Sequence, residues 1–148
     1  VTRDVDLTLL VGFGNEDTYI RELLQVYRPR REDAAAFAKR QRVLLLVSEH
    51  GVGLDISLGA LPYEYDLVER ATFYEFAPGY SLRTCSAEDL LVLKLFAHRA
   101  IDVRDAEGVV VRHGHELDWE YVERQLTPLV ELKEEPEILE TLARLRKF

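Results

Sequence analysis

The sequence has a single cysteine, Cys85, and no methionine among its 148 residues. One thiol can build neither an internal disulfide framework nor a cysteine-based zinc site. No apolar run approaches the roughly 20 residues of a membrane-spanning helix, and the first residues lack the pattern of a signal peptide. These absences lead us to expect a cytoplasmic protein that does not interact with membranes.

Basic residues are also outnumbered, because 19 Lys and Arg stand against 27 Asp and Glu, for a net charge of −8. Non-specific binding of nucleic acid depends on basic side chains that neutralise phosphates, so this balance disfavours it. One basic run is nevertheless present early in the chain. Two interpretations of it stay open: a solvated helix face, which is usual for such a run, and a basic patch. The run consists of Arg28, Arg30, Arg31, Lys39, Arg40 and Arg42.

Apolar residues make up 47% of the chain and charged residues 31%, as in soluble globular proteins. The length is enough for one domain with a sizeable core. Because the sequence opens directly on a strand pattern and contains no methionine, we expect that it begins inside a longer natural protein.

The first ten residues, VTRDVDLTLL, alternate between apolar and polar side chains and predict a strand. Val5, Leu7 and Leu9 would face one side of it, and Asp4 and Asp6 the other. Aspartate is depleted from strands, and like charges about 4 Å apart repel by roughly 4 kcal/mol at an effective dielectric constant of about 20. A divalent cation would turn this repulsion into attraction. The alternative is an exposed face on which both aspartates are solvated.

A second strand pair is predicted further along the chain. The run Arg42–Val47 has the length and apolar character of a strand covered on both faces. A turn at residues 49–51 joins it to Val52–Leu58, which carries Asp55 at its middle. If this strand lies beside the first, three carboxylates meet on adjacent strands. Such an all-oxygen donor set suits Mg²⁺.

Helices are predicted around these strands and dominate the second half of the chain. We expect residues 1–85 to form an α/β core and residues 86–148 a helical region packed on it, in one compact α+β domain overall. The predicted helices are about 15 to Tyr27, Glu32–Lys39, a short helix ending at Arg70, Ala87–Arg99, about 102–113, Trp119–Leu126 and Glu137–Arg146, and two further strands are Thr72–Phe76 and Tyr80–Thr84.

Lys94 interrupts the apolar sequence of the helix predicted over Ala87–Arg99. The start of this helix resembles a capping box, with Ser86 as the N-cap and Asp89 three residues later. Buried lysines are rare without a partner, although a long side chain can extend to solvent. Two interpretations therefore stay open for Lys94: an anionic partner in a cleft, or a solvated ammonium group.

The aspartate segments and the Lys94 helix together resemble a known family. Arg3–Leu7, RDVDL, with Leu54–Ser57, LDIS, resembles the hDhDh and hD signatures of the DNA polymerase beta-like nucleotidyltransferase superfamily. Ser86–Asp105, SAEDLLVLKLFAHRAIDVRD, is similar to the helical block of the abortive-infection type nucleotidyltransferases, which include toxins of certain bacterial toxin–antitoxin systems. The resemblance covers about residues 1–110 and implies the nucleotidyltransferase fold, a small mixed sheet flanked by helices.

The resemblance implies that a nucleoside monophosphate is transferred from an NTP to a hydroxyl group with the help of Mg²⁺ or Mn²⁺. Asp4 and Asp6 would hold the metals that bridge the triphosphate. Asp55 would help to hold the second metal and would orient or deprotonate the attacking hydroxyl. The acceptor class is left open between a tRNA end, a protein hydroxyl and a small molecule.

Three further residues are assigned to nucleotide binding through the resemblance. Lys94 matches the lysine of the helical block and would contact the triphosphate as a mobile point charge. Arg3 directly precedes the aspartate motif, and Asp105 matches the motif that follows Lys94. Asp105, with Arg99 and Asp102, also has a structural interpretation, namely pairing with Lys94.

One departure from the family concerns the glycine-rich element that precedes its aspartate motif and cradles the phosphates. Only three residues precede Asp4, and the segment Gly12–Gly14 lies downstream. A catalytically inactive, partner-binding module with the same fold, paired with an antitoxin or with a second copy, is therefore the alternative function. A carboxylate-based metal nuclease is a weaker third alternative. The histidines of the segment His113–Asp118 are better explained by a helix end and a turn than by a metal site.

Overall fold

The alternating segment at the start of the chain forms strand β1, Asp4–Leu10, and the residues before it lie outside the part of the chain that the structure describes. The structure is a computed structural model that describes residues 4–148. It has a mixed α+β architecture and divides into two compact units, one ending at Glu69 and one running from Arg70 to Phe148.

The first unit contains a four-stranded mixed sheet. Its remaining elements are α1 (Glu16–Val26), β2 (Arg28–Pro29), α2 (Ala34–Gln41), β3 (Val43–Val47), β4 (Gly53–Gly59) and α3 (Pro62–Arg70), whose last residue begins the second unit. The strand order is β1-β4-β3-β2, in which β1 and β4 are parallel and the other neighbours are antiparallel. The predicted hairpin between β3 and β4 is confirmed, and Gly51 at its turn has the positive φ of 79° that favours glycine.

One face of this sheet forms the core of the unit, because β3 and β4 present alternate apolar residues to α1 and α2. The other face of β3 is only half-buried, so the predicted cover on both faces is incomplete. Strand β2 was not predicted, since two residues are too short for a periodic pattern. The buried core side chains are Val11, Ile20, Ala34, Ala38, Leu44, Leu46, Ile56 and Leu58.

The second unit pairs a two-stranded sheet with four helices. The predicted strands and helices are all present, although the hairpin β5–β6, which we had grouped with the first region, belongs to this unit. The elements are β5 (Thr72–Ala77), β6 (Tyr80–Thr84), α4 (Ala87–Ala97), α5 (Ala100–His113), α6 (Trp119–Lys133) and α7 (Glu137–Leu145). Among residues 4–148, no helix combines the length and the apolar character that a membrane span requires.

Helix α6 extends beyond the predicted end at Leu126. The sequence pattern stops there because Pro128 removes a helical hydrogen bond and disfavours a helix interior. In the structure Leu129 and Val130 are buried beyond the proline, so the helix continues through it to Lys133. Burial of these two side chains favours helix continuation by about 1.5–3 kcal/mol each, which offsets the cost of about 3 kcal/mol for the proline.

A buried carboxylate joins α4 to α6. Asp89 is fully buried and accepts hydrogen bonds from the Tyr121 hydroxyl at 2.7 Å and from the Ser86 hydroxyl at 3.0 Å. Ser86 also accepts the Asp89 N–H, which confirms the predicted N-cap. Arg70 lies 3.3 Å from the same carboxylate and stacks over the Tyr121 ring. Each carboxylate oxygen is thereby satisfied away from water.

We expect Tyr121→Phe to destabilise the protein by about 1–3 kcal/mol, because it deprives a buried carboxylate of a hydrogen-bond donor. Urea unfolding followed by circular dichroism measures the change. Tyr80→Phe makes the same chemical change on an exposed side chain and should leave the free energy of unfolding within about 0.5 kcal/mol of the wild type. Equal effects of the two substitutions would contradict the assigned role of Asp89.

Candidate functional site

The parallel pairing of β1 with β4 brings the three aspartates of the two strand motifs onto one face of the sheet. Asp6 lies directly beside Asp55, and Asp4 lies beside Gly53. This face is opposite the core face, because Leu9 of β1 and Leu54, Ile56 and Leu58 of β4, which alternate with the polar positions, belong to or pack on the core. The strand adjacency on which the predicted three-carboxylate arrangement depended is therefore present.

The carboxylates remain accessible because β1 is an edge strand of the sheet. Asp6 is exposed, and Asp4 and Asp55 are half-buried. Val5 and Leu7, on the opposite side of β1, are also exposed, at 39% and 42%. The first half of β1 thus lies beyond the hydrophobic core, and its aspartates are accessible at the edge of the sheet.

Arg30 lies among these carboxylates and was not singled out from the sequence. Its Nη1 is 3.6 Å from Asp4 Oδ1, and its Nη2 contacts Asp55 Oδ1. Its backbone N–H donates to the Leu45 carbonyl at 3.0 Å, just after β2. Since Leu45 pairs with Asp55 and Asp55 with Asp6, these four residues form one row across the sheet.

Gly53 leaves the space into which the Asp4 carboxylate extends toward Arg30. A Cβ atom at position 53 would overlap the Asp4 carboxylate oxygen, and it would lie 2.9 Å from Asp4 Cγ and 3.3 Å from Arg30 Nη1. Any side chain there would push the Asp4 carboxylate away from Arg30 and Asp55. Glycine at this strand position is therefore explained by close approach of a functional group.

Four other members of the early basic run, Arg31, Lys39, Arg40 and Arg42, also have specific partners. Arg42 is the most deeply placed, because it donates to Glu16 at 2.6 Å and to the carbonyl oxygens of Gly12 and Leu58. The helix-face interpretation fits only Lys39 and Arg40, which lie exposed on α2. The further ion pairs join Arg31 and Arg40 to Asp33, and Lys39 to Asp17. A run neutralised in this way does not form the basic patch that was the alternative.

The aspartate face, formed by Asp4, Asp6 and Asp55, offers carboxylate oxygens, which are the donors that Mg²⁺ prefers. Within residues 4–148, no group of three or more His, Cys, Asp and Glu side chains is placed to hold a metal ion. Asp4 and Asp55 do converge on a single cationic group, the Arg30 guanidinium. Two carboxylates that share one cation fit Mg²⁺ or Mn²⁺ in donor chemistry, with water or phosphate oxygens as further ligands.

In the second unit, Lys94 lies within a network of carboxylates. Its Nζ is 3.0 Å from Asp105 and 3.5 Å from Asp102, and its side chain is 25% exposed. Asp102 is buried and also accepts two hydrogen bonds from Arg99, at 2.5 and 3.1 Å. Of the two interpretations of Lys94, the anionic partner is the one found. The suggested pairing with Lys94 is found for Asp105 and Asp102, whereas Arg99 pairs with Asp102.

Charge pairing shifts the pKa values in this network. Burial alone lowers the pKa of Lys94, but Asp105 and Asp102 raise it above its ordinary value. Burial alone raises the pKa of Asp102, but Arg99 and Lys94 lower it below its ordinary value of 3.8. Both groups are thus held in their charged forms.

Arg3, which was assigned to nucleotide binding, lies outside the described residues. Burial raises the pKa of the Cys85 thiol, which disfavours the reactive thiolate form. His113 ends α5 and His115 lies in the following turn, where each lies near Glu116, as the helix-end interpretation predicts.

In comparisons with known proteins, no protein-family model and no curated protein matches this chain. The residues of the site are therefore assigned by geometry. The aspartate face with Arg30 belongs to the first unit, and the Lys94 network to the second.

We expect Asp102→Asn to destabilise the protein at neutral pH by about 1–3 kcal/mol, because it removes a carboxylate hydrogen-bonded to two cations. A lowered pKa contributes stability above the ordinary value of 3.8, and that stability is lost as the pH falls through the lowered pKa. The difference in the free energy of unfolding between wild type and variant should therefore become smaller as the pH falls below 3.8.

Urea unfolding at a series of pH values measures this difference. Asp105→Asn is the matched control, since the Asp105 side chain is 47% exposed and its ion pair is screened by solvent. A stability difference for Asp102→Asn that stays constant through acid pH would contradict the assignment.

Proposed function

We propose that this protein is a metal-dependent nucleotidyltransferase that transfers a nucleoside monophosphate from an NTP to a hydroxyl acceptor. The observation that carries the proposal is the parallel β1–β4 pairing, in which Asp4, Asp6 and Asp55 share one accessible face. The small mixed sheet with helices on its other face supports assignment to the nucleotidyltransferase fold.

In this proposal the carboxylates of Asp4, Asp6 and Asp55 bind Mg²⁺ or Mn²⁺. The bound metal would stabilise the attacking and the leaving oxygens of an in-line displacement. Asp55 would also accept the proton of the acceptor hydroxyl. The oxygen of that hydroxyl would at the same time form a bond to the α-phosphorus, and pyrophosphate would leave. Its half-buried position supports this role, because partial burial keeps the carboxylate from being fully hydrated.

The acceptor is proposed by chemical class. A tRNA end and a protein hydroxyl both fit the transfer, and the family resemblance favours a toxin-like component of a toxin–antitoxin or abortive-infection system. Incubation with α-labelled NTP, Mg²⁺ and either acceptor separates the two, because the label migrates with the modified molecule. Cleavage of nucleic acid in place of label transfer would favour the nuclease alternative.

We expect Asp4→Asn and Asp6→Asn each to weaken Mg²⁺-dependent NTP binding by more than about tenfold, because each removes an anionic metal ligand. Isothermal titration with a non-hydrolysable NTP, with and without Mg²⁺, measures the loss. Asp66→Asn removes an exposed aspartate from α3 and should bind as the wild type does. Normal affinity in the first two variants would refute the proposal.

A second candidate function, a partner-binding module without catalysis, is favoured by the hairpin β5–β6. Its residues are exposed on both faces, apart from half-buried Ala77, and an isolated two-stranded sheet is only marginally stable in water. Tyr74 lies opposite Leu82 on one face, and Phe76 packs near Tyr80, with ring centroids 6.4 Å apart. The exposed large side chains are Phe73, Tyr74, Phe76, Tyr80 and Leu82.

For this function we propose a second copy of the chain as the partner. Four of these side chains, Tyr74, Phe76, Tyr80 and Leu82, share one face of the hairpin, whereas Phe73 lies opposite Arg83 on the other face. The four are 51–67% exposed, and at roughly 150–250 Å² for an aromatic side chain they offer on the order of 450 Å². A standard interface takes roughly 800 Å² from each partner. Glu75 and Arg83 balance each other in charge, so two hairpins related by a two-fold axis do not repel locally.

We expect the wild type to dimerise at micromolar concentration and the double variant Tyr74→Ser, Leu82→Ser to be monomeric, because it removes the apolar pair at the centre of the hairpin. Sedimentation velocity measures the change. Leu132→Ser alters a leucine that is 67% exposed on α6 and should leave the dimer intact. A wild type that stays monomeric at all concentrations, or a double variant that still dimerises, would exclude this interface.

A further inference from the structure

We propose that Arg30 binds the phosphate groups of the nucleotide, and that in the absence of metal its guanidinium is the counter-cation of Asp4 and Asp55. A divalent cation and Arg30 would thus exchange at the same two carboxylates. The inference rests on the proposed function for the identity of the anionic ligand. The exchange itself is a property of the aspartate face alone.

The contacts of Arg30 carry the first step. One guanidinium nitrogen faces Asp4 and the other faces Asp55, so the planar group spans the two strands β1 and β4. To reach Asp55 from the end of β2, the side chain passes over β3, a distance of about two strand spacings, or roughly 9–10 Å. The guanidinium is therefore held between the two carboxylates that are proposed to bind the metal.

Electrostatics makes the two cations mutually exclusive. A divalent ion bound to the same carboxylate oxygens would lie in contact with the guanidinium, and like charges at that separation repel strongly. Arginine keeps its charge at any accessible pH, so proton loss cannot relieve the repulsion. Metal binding must therefore displace the Arg30 side chain.

The backbone restricts where the displaced side chain can go. Arg28 and Pro29 pair with β3, and the Arg30 N–H donates to Leu45, so the main chain is fixed on the sheet. Only the side-chain torsions are free to change, and the guanidinium stays near the aspartate face. A metal-bound triphosphate brings anionic oxygens to this face, and the guanidinium fork matches phosphate in geometry and charge.

Arg28 provides a matched comparison on the same strand. It lies two residues earlier and pairs with Val47, which pairs in turn with Gly53. The Arg28 row therefore continues through Gly53 to Asp4, whereas the Arg30 row continues through Asp55 to Asp6. Within residues 4–148, no carboxylate is found paired with Arg28. Loss of the positive charge at position 28 thus alters the electrostatic potential near the sheet, but it leaves the contacts of Asp4 and Asp55 with Arg30 unchanged.

The metal arm of the test uses Mn²⁺ without nucleotide, with the free ion measured by electron paramagnetic resonance. We expect Arg30→Gln to bind Mn²⁺ roughly two- to fivefold more tightly than the wild type, the factor that corresponds to loss of a partly exposed ion pair. Arg28→Gln should bind it as the wild type does. Equal or weaker Mn²⁺ binding by Arg30→Gln overturns the exchange, provided that its thermal unfolding shows a folded protein.

The nucleotide arm uses a non-hydrolysable NTP at saturating Mg²⁺. We expect Arg30→Gln to bind it about tenfold more weakly in spite of its tighter metal binding, because a charge-assisted phosphate contact is lost. Arg30→Lys keeps the charge without the fork, so it should bind Mn²⁺ nearly as the wild type does and the nucleotide more weakly. Unchanged nucleotide affinity in Arg30→Gln overturns the phosphate role.

The two arms separate failure of the inference from failure of the proposed function. If the wild type binds no nucleotide, the proposed function fails and the phosphate role with it, while the Mn²⁺ arm still decides whether Arg30 is the counter-cation. If the wild type binds nucleotide and Arg30→Gln matches it in both arms, the proposed function stands and the inference fails.

Discussion

The parallel ladder between β1 and β4 is the constraint on which the candidate site depends. Side chains alternate along a strand, so a shift of one residue in this pairing would send Asp55 to the face opposite Asp6. The apolar alternation of β4 prevents such a shift, because Ile56 and Leu58 must face the core. Packing on one face of the sheet therefore positions the charges on the other.

Once the carboxylates share a face, their charges must be balanced. Arg30 supplies part of this balance, and Gly53 leaves the space in which the Asp4 carboxylate can approach it. Neither residue contributes to the hydrophobic core. The sheet thus holds the Arg30 guanidinium at the position where the proposed function requires a metal. The Arg30 side chain is long enough to move away from this position when a metal binds.

In the second unit, by contrast, two carboxylates are buried and hydrogen-bonded within the protein. Asp89 and Asp102 are fully buried, and each carboxylate is satisfied by several donors. Ser86, Tyr121 and Arg70 contact Asp89, and Arg99 and Lys94 contact Asp102. Removal of any one donor leaves a buried carboxylate partly unsatisfied, which is costly. These acidic residues stabilise the helical unit, and those of the first unit remain accessible.

Local patterns were sufficient for much of the structure. The alternation around Asp4 and Asp6, the turn before Asp55 and the cap at Ser86 each depend on neighbouring residues, so the strands, the hairpin and the start of α4 were predictable. Sequence could also propose that Asp55 joins the first two aspartates, but not decide it, because strand order depends on which faces pack together. The role of Arg30 was beyond reach for the same reason, since it reaches Asp55 across 25 residues of sequence. The residue types and their periodicity determined the elements and the available chemistry; the tertiary structure alone decided which charges meet, because sheet pairing brings distant residues within a few ångströms.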